Sequence, residues 1–366
     1  MKLEKHFSEV VQLIKQAQSN AYKAINIELI NCNWQVGEYI SKRISQAAWG
    51  NKTVDELATF IEKRHPDLKG YSRPNLYRMK QFYETYYSSS IVSPVVRQLY
   101  NFDNQCIKVL SSGPPQIETT DIRASILTGI SWTNHLIILA RTKTMEEKEF
   151  YIRLCIQENY GKRELERQIS SSVFERVKMG NLKLPPKLKG SNPGMSNTFK
   201  SDYVLEFLNL PVPHSENDLQ KALIAQMKAF ILELGKDFLF MGEEYRIQVG
   251  NSDFKTDLLF FHRTLQCMVL FELKTDKFKP EYLGQLNFYL EALDKDVKKA
   301  HEKPSIGILL CSEQDNEVVR YALNRSLSPA LVAAYQTQLP DKKLLQQKLH
   351  EIIENSDKDS YLYIRS

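Results

Sequence analysis

The chain has 366 residues, which is enough for two ordinary domains. Hydrophobic residues make up 42% and charged residues 25%, as in soluble globular proteins. The longest apolar runs, such as Leu258–Phe261, are too short to cross a bilayer, and the five cysteines lie far apart with no CxxC pair. This composition argues against a membrane protein, a disulfide framework and a cysteine zinc site, so we expect a cytoplasmic location.

The charge is divided unevenly along the chain. Residues 1–200 contain 29 Lys and Arg against 19 Asp and Glu, a net charge of +10. Residues 201–366 contain 20 against 25, a net charge of −5. A basic half predicts binding to a polyanion, which the acidic half could approach only with a bound cation. The alternative is ordinary surface charge.

The first half is predicted to be almost entirely helical. We expect helices over about residues 3–46, 53–64 and 72–86, a loop-rich stretch over 88–121, and helices over about 145–158 and 162–176. Pro66 and Gly70 separate the second helix from the third, which is a helix-turn-helix layout. The early residues of such a recognition helix reach base edges in DNA. The candidate DNA contacts are Arg73, Asn75, Arg78 and Lys80, with Arg163 and Arg167 on the last helix. A docking bundle with solvated arginines is the alternative.

The composition changes at residues 179–200, which are rich in Gly, Pro, Asn and Lys, as linkers are. We therefore expect a helical, basic DNA-binding domain over 1–178 and an α/β domain over 201–366. The second domain is predicted to open with one helix over 218–235. Glu233 lies in its last turn, where a helix favours cations, so this carboxylate calls for either a functional role or a small local cost. Later elements are a buried strand over 305–311, a helix over 316–322, an edge strand and a closing helix over 341–354.

Between these elements, residues 254–274 read as a β-hairpin. A two-residue turn at Arg263-Thr264 would place Asp257 opposite Leu270 and on one face with Glu272 and Lys274. Two close carboxylates repel each other unless a divalent cation lies between them, and oxygen ligands suit Mg²⁺. Such an ion would polarise a scissile phosphate and activate water, while Lys274 would stabilise negative charge. The alternative is a structural salt bridge at the end of a core hairpin.

The spacing Asp257…Glu272-Leu273-Lys274 resembles the signature of the PD-(D/E)xK nuclease superfamily. Gln285-Leu-Asn-Phe-Tyr289 resembles the QxxxY element of its RecB-type members. More closely, "FELKTDKFKPEYLGQLNFYLEALD" resembles the YhcG-like nuclease family. The N-terminal segments "WGNKTVDELATFIEKRHPDLKGYSRPNLYRMKQFYETY" and "ISWTNHLIILART…EFYIRLCIQENYGKRELERQI" are also similar to that family, so the resemblance covers most of the chain. One departure is that Thr256, not proline, precedes Asp257.

The resemblance implies an α/β fold with a PD-(D/E)xK, restriction-endonuclease-like core, a mixed sheet flanked by helices, after an all-α, helix-turn-helix-like domain. It implies Mg²⁺- or Mn²⁺-dependent cleavage of DNA, in defence against foreign DNA or in repair. Metal ligands would be Asp257, Glu272 and Glu233, and the catalytic set would be Asp257, Glu272, Lys274, Gln285 and Tyr289. Lys277 and Lys279, in the loop after the active strand, would contact phosphates or be solvated.

The cleavage activity, the nucleic-acid substrate and the protein partners stay open at this point. A DNA-binding accessory protein that does not cleave is one alternative, and a nuclease for branched DNA or RNA is another. A homodimer would supply the two sites that duplex cleavage needs, and defence-system proteins are further candidate partners.

Overall fold

The computed structural model of the chain describes residues 2–46, 51–92, 121–179, 198–324 and 329–350. The chain divides into two compact units, Met1–Glu166 and Arg167–Ser366. The described residues leave out most of three predicted segments. These are the linker, the loop-rich stretch and the end of the closing helix. Among the described helices, none has a stretch long and apolar enough to cross a membrane.

The first unit is helical, as predicted. Its helices are α1 (Lys2–Ser45), α2 (Asn51–Arg64), α3 (Arg73–Tyr86), α4 (Trp132–Arg141) and α5 (Met145–Glu158). Short 3₁₀ turns lie at Ser90–Val92 and Ile126–Gly129. Helix α6 (Lys162–Ser170) starts in this unit and ends in the second. Helix α4 lies where no helix is predicted.

Helices α1, α2 and α3 share a small apolar core formed by Ile40, Val54, Leu76 and Met79. Helices α1 and α3 approach each other closely at Gly37, where an added Cβ would lie 2.1 Å from the carbonyl oxygen of Met79. This core fixes α3, the predicted recognition helix, against α1 rather than leaving it independent.

The second unit contains a six-stranded mixed sheet, in the order β1-β6-β5-β4-β3-β2. The strands are β1 (Asp202–Val204), β2 (Phe238–Val249), β3 (Ser252–His262), β4 (Cys267–Leu273), β5 (Ile306–Cys311) and β6 (Ala330–Gln336). Strands β2, β3 and β4 are antiparallel, and β4, β5, β6 and β1 are parallel. The prediction that the last strand lies at an edge is wrong, because β1 pairs with its outer side.

The helices of this unit are α7 (Val173–Met179), α8 (Glu216–Ala225), α9 (Met227–Leu234), α10 (Tyr282–Ala292), α11 (Asn316–Asn324) and α12, over residues 342–350. A 3₁₀ turn lies at Glu206–Leu208, and α10 continues as a π-helical turn, Leu293–Val297. The segment predicted as one helix over 218–235 is two helices that meet at Gln226. The expected helix over 162–176 is likewise broken, at Ser172, which has a positive φ of 55°.

Alternating side chains of the sheet form two apolar layers. Leu258 and Phe260 pack on one face with α8 and α9, whereas Leu259 packs on the other face with α10 and α11. Helix α10 lies close to β5 at Gly307, where an added Cβ would lie 2.8 Å from the Leu286 side chain. The sheet is therefore covered on both faces, and α10 is held against its central strands.

Candidate active site

The site lies where the β3–β4 hairpin opens. The ladder runs from His262 opposite Cys267 to Leu258 opposite Phe271, so the connecting loop has four residues, 263–266. The prediction of a two-residue turn is therefore wrong, and the pairing is displaced by two residues. Because side chains alternate with a period of two, this displacement leaves the predicted face unchanged and brings Asp257 level with Glu272 instead of Leu270.

Asp257 is tied to the end of β4 through its side chain. Its Oδ2 accepts a hydrogen bond of 2.7 Å from the backbone N–H of Leu273. Burial raises the pKa of Asp257, and the nearby carboxylates of Glu216 and Glu244 add to that effect against the opposing influence of Leu273 N–H and Lys274. A positive charge placed near this carboxylate would stabilise its ionised form.

Glu272 is buried beside Asp257, with its side chain 4% exposed. Its Oε1 accepts a hydrogen bond of 2.9 Å from Nε2 of Gln285, whereas its Oε2 is buried without a hydrogen-bond partner. Burial and, second, the charge of Asp257 raise the pKa of Glu272 to about 8. A buried carboxylate oxygen with no donor is costly in a folded protein.

Lys274 follows directly after β4, and its side chain is 12% exposed. Its Nζ donates to Oε2 of Glu216 over 3.3 Å and lies 3.9 Å from Oε1 of Glu272. Burial pulls the pKa of Lys274 down, but the carboxylates of Glu272, Glu216 and Asp257 outweigh burial and raise it overall. Lys274 is therefore a held cation between acidic side chains.

Helix α10 places the last two predicted site residues against this group. Gln285 Nε2 donates to Glu272 and also to the hydroxyl oxygen of Tyr289, over 3.0 Å. Asp257, Glu272, Lys274, Gln285 and Tyr289 thus form one connected cluster.

Glu233 does not join this cluster. It is fully buried at the end of α9 and pairs with Arg167 at 2.9 Å, Lys200 at 3.2 Å and Arg176 at 3.7 Å. Burial alone would raise the pKa of Glu233, but these three cations lower it overall. Its expected role as a metal ligand is therefore corrected: three cations already neutralise the carboxylate.

Arg167 is corrected together with Glu233. Besides Glu233, its guanidinium donates to Glu206 over 3.0 Å and to the carbonyl oxygen of Val204 over 2.9 Å. These bonds engage the guanidinium inside the second unit, so Arg167 is a structural residue and not an exposed contact for DNA.

Glu216 is an acidic residue next to Lys274 that the sequence pattern did not predict. It lies in the first turn of α8, which Ser215 caps in a reciprocal capping box with Asp218. Its side chain is 48% exposed, contacts Lys274 and raises the pKa of both Asp257 and Glu272. The sequence feature that could have indicated it is the capping-box pattern Ser215-Glu-Asn-Asp218. This pattern marks the N-terminus of α8, and that end of the helix lies at the site.

The predicted DNA contacts on α3 lie between its first residue, Arg73, and its middle, at Lys80. Arg73 is 63% exposed, pairs with Asp55 and stacks on Tyr77. Asn75 donates to the carbonyl oxygen of Gly70 and accepts from the exposed Arg78. Lys80 pairs with Glu84, at 2.9 Å. Arg163 is exposed on α6.

Lys277 and Lys279 lie in the loop after β4 and are each about half exposed, at 52% and 50%. Lys277 Nζ lies 3.7 Å from Glu313, and Lys279 Nζ lies 2.6 Å from Asp276. Both lysines are close in sequence to Lys274, and each is paired with an acidic side chain.

The residues present fit a hard divalent cation. In the described parts of the chain, no three or more His, Cys, Asp or Glu side chains are close enough to form a complete ligand set. Mg²⁺ needs no such set, since it usually keeps several waters and binds through one or two carboxylates and a substrate phosphate. Asp257 and Glu272, with its unpartnered Oε2, match that requirement.

Comparisons with known proteins identify the domains of the chain. Residues 9–176 match the DUF1016 N-terminal domain, and residues 196–350 match the YhcG PDDEXK nuclease domain. The YhcG protein of Escherichia coli (strain K12) is 28% identical over 356 residues, which are 93% of this chain and 92% of that protein.

Two solved structures also align with part of the chain. They are a repair endonuclease from Pyrococcus abyssi, with 13% identity and a TM-score of 0.24, and EndoMS in its apo form, with 14% identity and a TM-score of 0.22. Each alignment covers 36% of this chain and about half of the other, 50% and 49%. The two domain matches show that the chain carries a DUF1016 N-terminal domain followed by a YhcG PDDEXK nuclease domain.

Proposed function

We propose that this nuclease is a DNA endonuclease that hydrolyses phosphodiester bonds with Mg²⁺ or Mn²⁺ held by Asp257 and Glu272. The observation that supports it most is the buried Oε2 of Glu272, which has no hydrogen-bond partner and lies beside a second, partly buried carboxylate, Asp257. Such a pair is unfavourable in the protein alone and becomes favourable when a cation binds it. Glu216 is proposed as the third acidic residue of the site, in place of Glu233, and it would act on the cation through water because the three carboxylates do not form a direct ligand set.

When bound, the cation supplies positive charge that polarises the scissile phosphate and makes water more acidic. The chain supplies the remaining parts of the site. The ammonium of Lys274 lies where it can stabilise charge that develops on the phosphate. The hydrogen bond from Leu273 N–H to Oδ2 of Asp257 fixes the orientation of that carboxylate.

Gln285 and Tyr289 orient the second carboxylate. Gln285 Nε2 holds Oε1 of Glu272, which leaves Oε2 as the oxygen that faces a ligand. Because the hydroxyl oxygen of Tyr289 accepts a hydrogen bond from Gln285, the hydroxyl proton of Tyr289 is directed elsewhere and is available to a water or a DNA oxygen. This is an orienting role for both residues and not a direct attack on the substrate.

DNA is the proposed substrate because residues 1–200 have a net charge of +10, and because α3 exposes Arg73 and Arg78 in its first half. Lys277 and Lys279, in the loop after β4, are proposed as further phosphate contacts. Metal chemistry itself does not distinguish DNA from RNA, since that choice depends on contacts to the 2′-hydroxyl. Cutting both strands of a duplex would take two copies of the site, so a homodimer belongs to the proposal, as does a role in defence or repair.

Cleavage by the purified full-length protein tests this function. Substrates are supercoiled plasmid, linear duplex, single-stranded DNA, a branched junction and RNA, each with Mg²⁺, with Mn²⁺ and with EDTA. We expect DNA cleavage with either metal and none with EDTA. Asp257→Asn and Lys274→Ala should be inactive, whereas Arg320→Ala, which alters an exposed ion pair on α11, should cleave like the parent.

The proposal fails if the metal-loaded parent cleaves no nucleic acid, or if Asp257→Asn cleaves as fast as the parent. Cleavage of RNA alone would overturn the choice of substrate and leave the site intact. Sedimentation of the protein with and without duplex DNA tests the homodimer, which a monomer that cuts both strands would contradict.

A further inference from the structure

Besides Gln285 and Tyr289, helix α10 places a third side chain, Tyr282, next to the end of β4. Tyr282, Gln285 and Tyr289 are three and seven residues apart, so they share one face of the helix. Gln285 contacts Glu272, and the ring of Tyr282 lies against Lys274, with Nζ 5.6 Å from the ring centroid. A cation at that distance over an aromatic ring is attracted to it.

The hydroxyl group of Tyr282 is also held in place. It donates to Oδ2 of Asp276 over 2.6 Å, and Lys279 Nζ donates to the same oxygen over 2.6 Å. Lys279 Nζ also lies 5.5 Å from the ring centroid. Asp276 is itself tied to the sheet, because its carbonyl oxygen accepts from Ser312 N–H, just after β5. The ring position therefore depends on a loop that is hydrogen-bonded to the end of β5 through Asp276.

The other two partners of Lys274 are carboxylates, Glu216 at 3.3 Å and Glu272 at 3.9 Å. Both belong to the proposed cation site. Once a divalent cation shares their negative charge, their attraction for the ammonium of Lys274 falls. The Tyr282 ring carries no formal charge and offers no carboxylate to the cation, so its attraction for Lys274 persists.

We propose that Tyr282 is a positioning residue that keeps the ammonium of Lys274 in the site when the carboxylates hold their cation. Asp276 and Lys279 orient the ring, which gives Lys279 a structural role beside any contact with phosphate. The inference rests on the proposed nuclease function. It assigns the effect on Lys274 to the ring of Tyr282, and the hydroxyl bond to Asp276 is a smaller aid to the orientation of that ring.

Two kinds of substitution separate the ring from the hydroxyl. Tyr282→Phe keeps the ring, whereas Tyr282→Leu and Tyr282→Met remove it and leave an apolar side chain that suits a helix. The measurement is the single-turnover cleavage rate of the full-length protein with saturating Mg²⁺. The rate of the two variants without the ring should be about 3- to 30-fold lower than that of the parent, which corresponds to the free energy of a cation–π contact. The affinity for DNA and the Mg²⁺ concentration for half-maximal rate should not change, and Tyr282→Phe should stay within about 3-fold of the parent.

Each outcome decides something different. A parent that cleaves nothing removes the proposed function, and this inference with it. If the parent cleaves and both ring-less variants match its rate, the proposed function stands and the role of Tyr282 is wrong. An equal loss in Tyr282→Phe, or a loss seen only in DNA affinity, would also overturn it, by assigning the effect to the hydroxyl or to substrate binding. Circular dichroism of each variant excludes misfolding as the cause.

Discussion

Replacing Glu272 with Gln is expected to stabilise the metal-free protein at alkaline pH. The buried side chain has a pKa raised from 4.5 to about 8, mainly by burial and then by Asp257. Between these two pH values the folded state keeps a proton that the unfolded state has released, so the free energy of unfolding falls as the pH rises. Glutamine keeps the acceptor oxygen for Gln285 and has no proton to lose.

The size of the effect follows from the same interval. From pH 4.5 to about 8, at about 1.4 kcal/mol per pH unit, the parent would lose at most roughly 5 kcal/mol. Relaxation of the carboxylate pair and entry of water reduce this loss, so we expect Glu272→Gln to be more stable than the parent by about 2–5 kcal/mol above pH 8. Near pH 5 both proteins carry a neutral side chain at this position and should be about equally stable.

Urea unfolding of EDTA-treated protein, monitored through hydrogen exchange of the β4 amides, measures this difference in the free energy of unfolding. The three tryptophans, Trp34, Trp49 and Trp132, all lie in the first half of the chain, so their fluorescence is an internal control that should not change. Mg²⁺ should stabilise the parent and not the variant, because only the parent keeps both carboxylates. A parent as stable as Glu272→Gln at alkaline pH without metal would refute the reasoning.

Three other predictions concern the rest of the chain. His135 is fully buried, which lowers its pKa to about 4. The free energy of unfolding of the first unit should therefore fall by about 3 kcal/mol as the pH drops from 6.5 towards 4. His135→Gln should remove this pH dependence in tryptophan-monitored melts, and an unchanged pH dependence would contradict the prediction. Glu233→Gln should cost the second unit about 3–5 kcal/mol, since three buried or half-buried cations lose their carboxylate. Its Mg²⁺ affinity should stay parental by calorimetry, and lower affinity without loss of stability would restore the metal-ligand role. Arg78→Ala should reduce the slope of log DNA affinity against log salt by about 1 in anisotropy titrations, and a parental slope would exclude Arg78 as a phosphate contact.

Most helices and strands could be predicted because their apolar residues repeat with the right period and Pro or Gly marks their ends. Helix α5 has the predicted bounds, Met145–Glu158, and α3 begins within one residue of the expected start. Helix α4 shows the limit of this reasoning. Its buried residues include both Asn134 and His135, so it has no clean apolar stripe by which to predict it.

The hairpin shows why a face can be predicted when a register cannot. Arg263-Thr264 has no Gly or Asn to specify a two-residue turn, and the observed loop is longer. It ends at Gln266 with a φ of 55°, a conformation that a glutamine does not signal in the sequence. The juxtaposition of Asp257 and Glu272 survived because an error of two residues preserves the face.

The role of Glu233 could not be predicted because its partners are distant in sequence. Lys200 is 33 residues away and Arg167 is 66 residues away. No periodicity within α9 indicates that cations from α6, α7 and the segment just before β1 converge there. The acid that does reach the site, Glu216, has an ordinary N-terminal position on its helix, which is why its role needed the structure.

Single-turnover cleavage by Glu272→Gln tests the central claim most directly. This variant is expected to be more stable than the parent in the absence of metal, so a loss of activity could not be attributed to unfolding. With Mg²⁺ and labelled duplex DNA, we predict cleavage by the parent and a rate at least about 100-fold lower for the variant, as expected when a group that acts in the transition state is removed. Cleavage by Glu272→Gln at the parental rate would contradict the account, because the buried carboxylate would then have no part in the chemistry.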